Sequence, residues 1–165
     1  MKSKELDALF LEALKDIYYA ERKILRALPK MMRAAQSPQL KAAFQQHKDE
    51  TEGHKERLDQ VFEMIGRRPQ GKTCPAIDGI IEEGEEVMDT FKGTPALDAG
   101  LVAAAQAVEH YEMARYGTLC AWAKVLGMDE AVQILTQTLE EEKKTDETLT
   151  QLAESEINQT AIAAE

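Results

Sequence analysis

The sequence predicts an all-α protein built as a four-helix bundle, and two observations carry this prediction. Aromatic residues make up only 5% of the 165-residue chain, whereas Ala, Leu, Glu, Lys and Gln are abundant, which is the composition of long helices rather than of sheets. Apolar residues also recur at helical spacing in four long segments and one short one. With 44% hydrophobic residues in a chain of this length, we expect a single domain over residues 1–165.

The first two long helices are predicted at about 3–35 and 38–65. Ser3 is placed to cap the first helix, and we expect Pro29 to kink this helix without ending it. Ser37 and the proline after it match the N-cap and the first position of the second helix. A glycine follows this helix and is expected to end it. The short turn between the two helices predicts an antiparallel hairpin.

A short amphipathic helix is predicted at about 75–91, followed by two more long helices at about 95–126 and 129–157. Thr94 and the next proline repeat the N-cap device before the third long helix, and Asp129 is expected to cap the fourth. The segment that contains the short helix is too long for a turn and is interpreted as a crossover. Two short-loop helical hairpins joined by one crossover form the connectivity of ferritin-like four-helix bundles.

Charge, apolar patterning and cysteine spacing limit the partners and the cellular location that the sequence predicts. Its formal net charge is -10, and binding to nucleic acid or anionic lipid requires clustered Lys and Arg. No apolar run approaches the ~20 residues that span a bilayer, and the N-terminal segment has no apolar signal core. Cys74 and Cys120 lie far apart without a C-x-x-C motif, so two reduced thiols are expected. These features predict a cytoplasmic protein with no nucleic acid or membrane partner.

The apolar stripe of each long helix is interrupted near its middle by residues that an apolar core normally excludes. The interrupting residues are Glu21 in the first helix, His47, Glu50, Thr51 and His54 in the second, Glu109 and Glu112 in the third, and Glu142 and Asp146 in the fourth. In each hairpin these residues lie at similar distances from the connecting turn, so antiparallel packing brings them to one level. The sequence therefore predicts one polar layer across the middle of the bundle.

Buried carboxylates at one level need a counter-charge, because two of them about 4 Å apart repel by about 4 kcal/mol even at an effective dielectric constant near 20. Divalent cations remove this repulsion, and oxygen ligands with one or two imidazoles suit iron and manganese. Bridging carboxylates hold two such ions close together. We therefore predict two divalent metal ions, iron or manganese, as cofactors. The predicted ligands are Glu21, Glu50, His54, Glu109, Glu112, Glu142 and Asp146.

Several of these ligands receive a predicted role in the dinuclear site. The roles are bridging for Glu50 and Glu142, terminal ligation for Glu21 and Glu109, and completion of one ion's shell for His54. The neighbouring residues Glu140 and Glu141 are interpreted as part of a solvated face.

Other polar residues near the predicted layer allow more than one interpretation. Glu112 and Asp146 stay open between direct ligands and outer carboxylates, and His47 is predicted to orient a ligand carboxylate from outside. Arg115 and Lys143 lie close in sequence to predicted ligands. A metal-free network of buried salt bridges is therefore an alternative, although a costly one without good geometry.

Four segments of the chain resemble one known family. They are IYYAERKILRALPKM, FQQHKDETEGHKERLDQVFE, AAAQAVEHYEMARYGTL and LTQTLEEEKKTDETLTQLAE. In this order they are similar to the YciE/YciF family of bacterial ferritin-like proteins, and the similarity covers nearly the whole chain. The resemblance implies a helical bundle of ferritin-like topology, a homodimer and an association with bacterial stress responses. It implies no settled activity.

We therefore expect a dinuclear metal-binding stress-response protein that handles peroxide or dioxygen. An enzymatic activity would then be of the peroxidase, catalase or oxidase type. The alternative is a stress-associated structural or interaction protein in which the metal only stabilises the fold or is vestigial. Iron storage is disfavoured because no further helix is predicted after the fourth long one.

Overall fold

The computed structural model describes residues 5–162, and all regular secondary structure in this part of the chain is helical. The main helices are α1 (Leu6–Ala34), α2 (Pro38–Met64), α3 (Pro75–Thr90), α4 (Leu97–Val125) and α5 (Asp129–Leu152). A π-helical turn, Ala153–Ile157, and a final short helix, α6 (Asn158–Thr160), follow α5 directly. No strand occurs between residues 5 and 162, so the predicted all-α class is confirmed.

The four long helices pack as two hairpins. α1 pairs with α2 and α4 pairs with α5, while α2 also contacts α5 and α1 contacts α4. These contacts close the four helices into a ring around one core, which confirms the predicted helical bundle. The crossover helix α3 lies outside this ring, against α4 and α1.

Local signals in the sequence account for most helix ends. The Ser37 hydroxyl accepts a hydrogen bond of 3.3 Å from the backbone N–H of Leu40, which confirms the predicted cap of α2. Gly66 and Gly127 follow α2 and α4 with positive φ angles of 67° and 71°, a conformation that favours glycine. α1 continues through Pro29, as predicted.

Two predicted features at the starts of the last two long helices are wrong, namely the first residue of α4 and the cap of α5. α5 itself begins at residue 129, as predicted. α4 begins at Leu97 instead of residue 95 and has no side-chain cap, and the Thr94 hydroxyl donates a hydrogen bond of 2.8 Å to the carbonyl of Phe91. Asp129 is the first residue of α5 rather than its cap, and Met128 precedes it. An acidic residue in the first turn still stabilises the positive end of the helix dipole.

Two other predicted boundaries need comment. The helix predicted to end at residue 157 stops being α-helical at Leu152 and continues through the π-helical turn. The predicted cap Ser3 lies outside the described residues, and α1 begins at Leu6. Within residues 5–162, none of the helices combines the length and apolar character that crossing a bilayer requires.

Buried apolar side chains flank a polar middle section on each long helix. In α1, for example, Leu14 and Ile17 are fully buried before Glu21, and Ile24 and Leu28 are buried after it. Burial of such side chains stabilises the bundle by about 1.5–3 kcal/mol each. The apolar layers above and below therefore hold the polar middle section at a fixed place in the bundle.

Candidate metal centre

Six side chains of metal-ligand type are buried at the middle of the bundle, each at most 4% exposed. They are Glu21 of α1, His47 and His54 of α2, Glu109 and Glu112 of α4, and Glu142 of α5. Each has at least one neighbour three or four residues away that belongs to the apolar core or packs against it, so regular helix geometry turns it inward.

The ligand atoms of these side chains form two adjoining groups. Atoms of His47, Glu109, Glu112 and Glu142 lie within 4.8 Å of one another in the first group. Atoms of Glu21, His54 and Glu142 do so in the second. Glu142 belongs to both groups, and a carboxylate has two oxygens with which to serve two neighbouring sites.

Short distances between these side chains are not accompanied by hydrogen bonds. Nε2 of His47 lies 2.8 Å from Oε1 of Glu109, and Nδ1 of His54 lies 2.7 Å from Oε1 of Glu142. None of these four atoms has a hydrogen-bond partner among the described residues. The donor and acceptor directions in each pair are therefore not aligned. Ligand atoms that converge on a common point have this arrangement, because each directs its lone pair at the point rather than at its neighbour.

The imidazole of His54 is oriented from its far side. Its Nε2 lies 2.8 Å from Oε2 of Glu141, and Arg57 donates two hydrogen bonds of 2.8 Å to the same carboxylate. A proton on Nε2 satisfies this contact and leaves the Nδ1 lone pair directed at Glu142. Burial raises the pKa of Glu141, but the hydrogen bonds from Arg57 and His54 outweigh burial and lower it. Glu141 therefore stays ionised and holds the ring in place.

Glu21 is also held by a buried neighbour. The hydroxyl of Tyr116 donates a hydrogen bond of 2.6 Å to Oε1 of Glu21, and both side chains are fully buried. Oε2 of Glu21 has no hydrogen-bond partner in the described part of the chain. The tyrosine thus fixes one oxygen of this carboxylate and leaves the other free for a ligand.

The electrostatics of the metal-free cluster are unfavourable. Burial raises the pKa of Glu109 to about 8, and the negative charge of Glu21 adds to this shift. Burial also raises the pKa of Glu112 and that of Glu142 well above the ordinary value, aided by the charges of neighbouring carboxylates. Burial alone lowers the pKa of His54, but the nearby carboxylates of Glu142 and Glu21 and the hydrogen bond with Glu141 raise it to about 8. The cluster therefore binds protons tightly when no cation neutralises it.

The donor set fits a pair of divalent ions. Four carboxylates and two imidazoles are the donors of the carboxylate-bridged sites in helical bundles. The distribution differs from that common pattern, since both imidazoles lie on α2, seven residues apart and two turns along one face. Oxygen and imidazole donors of this kind suit iron and manganese.

Two predicted ligands lie outside both groups. Glu50 is only partly buried, and it accepts hydrogen bonds from Gln46 at 2.9 Å and Thr145 at 3.3 Å. Glu50 lies three residues after one buried histidine and four before the other, at the edge of the buried face of α2. From this edge its carboxylate reaches the side of α5 instead of the bundle axis. The Glu50 carboxylate therefore lies outside the cluster, away from the bridging role that the sequence predicts for it.

Asp146 lies at the corresponding edge of α5. His110 Nε2 is 3.1 Å from its Oδ1, and Gln106 donates to the same atom at 3.3 Å. These partners are on α4, so Asp146 links two helices at the rim of the bundle. Of the two positions left open by the sequence, Glu112 therefore lies in the cluster and Asp146 does not.

His47 and Glu141 lie closer to the site than the sequence predicts. His47 was expected outside the ligand set, yet its ring lies with Glu109, Glu112 and Glu142. Its spacing of seven residues from His54 was the available signal. Glu141 was interpreted as a solvated residue, and only packing against α2 reveals its contact with His54, 87 positions away along the chain.

The metal-free salt-bridge network is not formed. The Arg115 guanidinium lies over the ring of Tyr111, 5.3 Å from its centroid, and Lys143 pairs with exposed Glu140 at 2.9 Å. Neither cation is paired with the buried carboxylates, and both oxygens of Glu112 lack a hydrogen-bond partner within residues 5–162. Among the described residues, the side chains that approach these carboxylates and can carry a positive charge are the two imidazoles.

Comparison with known proteins agrees with this architecture. The family model described as a domain of unknown function, DUF892, matches residues 5–162. The chain belongs to the DUF892 family. One relative of the chain is protein YciF of Escherichia coli strain K12, which is 44% identical over 162 residues and is covered to 98%, as is this chain. The predicted resemblance to the YciE/YciF family is confirmed.

Solved structures show the same fold. The crystal structure of the Escherichia coli stress protein YciF matches with a TM-score of 0.89 at 44% identity, covering 96% of this chain and 99% of that one. A Rhodopseudomonas palustris protein for which a structural role is suggested matches with a TM-score of 0.86 at 49% identity. The match covers 88% of this chain and 93% of that one. A Xanthomonas campestris protein at 22% identity has a TM-score of 0.72 over 92% of each chain and supports the fold alone.

Proposed function

We propose that this chain binds two divalent metal ions, iron or manganese, at the buried cluster and consumes a small oxidant there. One observation carries the proposal: six buried ligand-type side chains converge while most of their polar atoms have no hydrogen-bond partner among the described residues. A buried polar atom without a partner costs about 1–3 kcal/mol, and more when it is charged. Two divalent ions would satisfy these atoms and neutralise the carboxylates.

The two groups of atoms suggest how the ions would be held. His47, Glu109 and Glu112 would serve one ion, Glu21 and His54 the other, and Glu142 would serve both. When bound, an iron or manganese pair supplies electrons to an oxidant and takes them back from a reductant. The residues around the pair keep its ligands in position.

The surrounding side chains have defined tasks in this proposal. Glu141 keeps the proton of His54 on Nε2, so the lone pair of Nδ1 is available to a metal ion. Tyr116 holds one oxygen of Glu21 and is a proton donor next to the cluster. The apolar layers on either side exclude bulk water and strengthen every charge interaction within the site.

The kind of oxidant is suggested by the relatives. The Escherichia coli YciF structure is described as that of a stress protein, and oxidants such as peroxide and dioxygen are the small molecules that a metal pair can reduce. A centre whose six ligand-type side chains are at most 4% exposed admits only small reactants. We therefore propose peroxide or dioxygen, rather than an organic metabolite, as the substrate class.

Reconstitution tests this function. Metal-free protein is incubated anaerobically with Fe(II) or Mn(II), desalted and analysed for metal, and is then exposed to peroxide or dioxygen while oxidant consumption is followed. The proposal expects two ions per chain and consumption beyond one equivalent when a reductant is present. Wild-type protein that takes up no metal would refute the centre.

A second function is favoured by the Rhodopseudomonas palustris relative, for which a structural role is suggested. In that case the ions would stabilise the bundle and would not turn over. A metal-dependent rise in melting temperature reports this stabilisation through ligand binding to the folded state alone. Two bound ions with a large rise in melting temperature but no oxidant consumption would select the structural role.

A further inference from the structure

A cavity of about 30 Å³ lies between α1, α3 and α4 and adjoins the candidate metal centre. His47 and Glu109, two members of the buried cluster, line its inner end. Lys30 and Glu85, both exposed, line its outer end. The cavity therefore connects one side of the cluster with the surface beneath the crossover helix.

The walls between these two ends are apolar. Apart from the four residues just named, every described residue that lines the cavity is aliphatic, methionine or glycine. Examples from the three helices are Ile24, Leu28, Ile80, Ile81, Met88 and Val108. A water molecule needs two to four polar partners to occupy a buried site, and these walls offer none.

The size of the cavity limits its occupant. One water-sized molecule requires about 10–15 Å³ measured in the same way, so the cavity has room for a molecule of two or three atoms. Hydrogen peroxide has the right size, but it would lose its hydrogen bonds to water on entering apolar walls, which costs several kcal/mol in principle. An apolar diatomic molecule loses nothing comparable.

The outer end is lined by an ion pair between two exposed side chains. Nζ of Lys30 on α1 lies 3.1 Å from Oε1 of Glu85 on α3, and these side chains are 58% and 47% exposed. Exposed ion pairs of this kind contribute little to stability. A small molecule can therefore enter by motion of two surface side chains, without displacement of a helix.

We propose that this cavity binds dioxygen and delivers it to the His47 and Glu109 side of the metal centre. The inference deepens the proposed function and rests on it for the fate of the dioxygen, but the cavity itself exists without metal. It assigns dioxygen, rather than peroxide, as the oxidant that reaches the centre by this route.

Xenon provides a test that needs no metal, because it is an apolar atom that occupies dry cavities. Xenon binding to the metal-free full-length chain is measured by xenon NMR and located in crystals pressurised with the gas. Ala27→Leu fills the cavity from α1, and Ala104→Leu fills it from α4. Ala13→Leu is the matched control, since Ala13 is also a partly buried alanine of α1 but does not line the cavity.

Wild-type protein and Ala13→Leu should bind xenon in the cavity, and the two filled variants should lose this binding. No xenon in the wild-type cavity, or equal binding by a filled variant that is folded by circular dichroism, would overturn the inference. Xenon binding by a protein that takes up no metal would support the cavity and refute the metal centre, so the two failures are distinguishable.

The delivery step is tested on the Fe(II)-loaded protein. The filled variants change no ligand and should retain the wild-type metal content. Oxidation of the bound Fe(II) by dissolved dioxygen should be several-fold slower in the filled variants than in wild type and in Ala13→Leu. The rate of Fe(II) oxidation by peroxide should change little. Unchanged oxidation by dioxygen in a variant that no longer binds xenon would overturn the route.

Discussion

Nδ1 of His54 lies 2.7 Å from Oε1 of Glu142, while Nε2 of the same ring lies 2.8 Å from Oε2 of Glu141. Two consecutive glutamates of α5 therefore approach opposite sides of one imidazole. Glu142 is fully buried and faces the cluster, whereas Glu141 is partly exposed and is paired with Arg57. Adjacent residues of a helix point about 100° apart, which is what places one glutamate inside the site and the other behind it.

Replacement of Glu142 should abolish binding of both ions, because this carboxylate belongs to both groups of ligand atoms. We expect Glu142→Ala to hold less than one ion per chain after reconstitution with Mn(II), measured by metal analysis after desalting. Glu50→Ala is the control. It should retain wild-type metal content, since the Glu50 carboxylate accepts hydrogen bonds from Gln46 and Thr145 outside the cluster.

The opposite pattern would contradict this geometry. Full metal content in Glu142→Ala, or loss of metal in Glu50→Ala, would return Glu50 to the bridging role that the sequence predicted. Circular dichroism of both variants in the metal-free state separates loss of a ligand from loss of the fold.

Replacement of Glu141 should weaken metal binding without removing a ligand. Outer partners of metal-bound histidines typically affect affinity by about 10–100-fold, because they fix the tautomer and the direction of the ring. We expect Glu141→Ala to lower Mn(II) affinity within this range in isothermal titration calorimetry. Glu140→Ala serves as the matched control, because Glu140 is exposed and pairs only with Lys143 in the described structure. Equal affinities in the two variants would show that the contact with His54 has no influence on the site.

Metal-free protein should lose stability as the pH rises. Burial raises the pKa of Glu109 to about 8, above the ~4.3 of an unfolded glutamate. The stability that this group contributes is therefore fully present below pH ~4 and is lost as the pH rises to ~8. The pKa of His54, raised to about 8 against burial by Glu142 and Glu21, shifts stability in the same direction. We expect the melting temperature of metal-free protein to fall between pH ~5.5 and ~8.5.

Bound metal should reverse this trend, because metal binding displaces protons from the ligands and becomes stronger as the pH rises. The measurement compares melting temperatures of metal-free and Mn(II)-loaded protein over the same pH range. Glu109→Gln removes one of the titrating groups and should flatten the metal-free profile. A metal-free melting temperature that rises steadily to alkaline pH would be incompatible with a buried carboxylate cluster.

Asp98 should be important for stability rather than for metal binding. Its two carboxylate oxygens accept hydrogen bonds of 2.8 and 2.7 Å from the backbone N–H groups of Gln36 and Ser37, and thereby join the turn between α1 and α2 to the start of α4. We expect Asp98→Ala to lower the free energy of unfolding by about 3 kcal/mol in urea denaturation of metal-free protein. Asp49→Ala, which removes an exposed hydrogen bond with Gln45, should change it by less than about 0.5 kcal/mol.

Helix positions and pairings were predictable because their signals are local. Ser37 caps α2 through an N–H three residues away, and Gly127 ends α4 through its own positive φ angle. The predictions failed where a residue had a second option within the same few positions. Thr94 is an example, since its hydroxyl binds the preceding carbonyl of Phe91 instead of capping α4.

The candidate site was predictable only to the level of helix faces. Periodicity identifies which side of a helix is buried, but residues at the edge of that side are decided by the neighbouring helix. Glu50 meets Thr145 at such an edge, whereas His47 lies nearer the middle of the buried face and reaches the cluster. Three residues, slightly less than one helical turn, thus separate a residue of the cluster from a residue of the rim.

The sequence by itself determined the helices, their pairing in hairpins and the polar layer across the bundle, because composition, periodicity and turn residues act within one or a few helical turns. Only the tertiary structure decided that Glu142 lies in both groups of ligand atoms, that Glu141 and Tyr116 orient ligands from other helices, and that an apolar cavity adjoins His47. These relationships join residues that are distant along the chain. Their geometry depends on how far each packed helix is rotated and shifted, which no local pattern encodes.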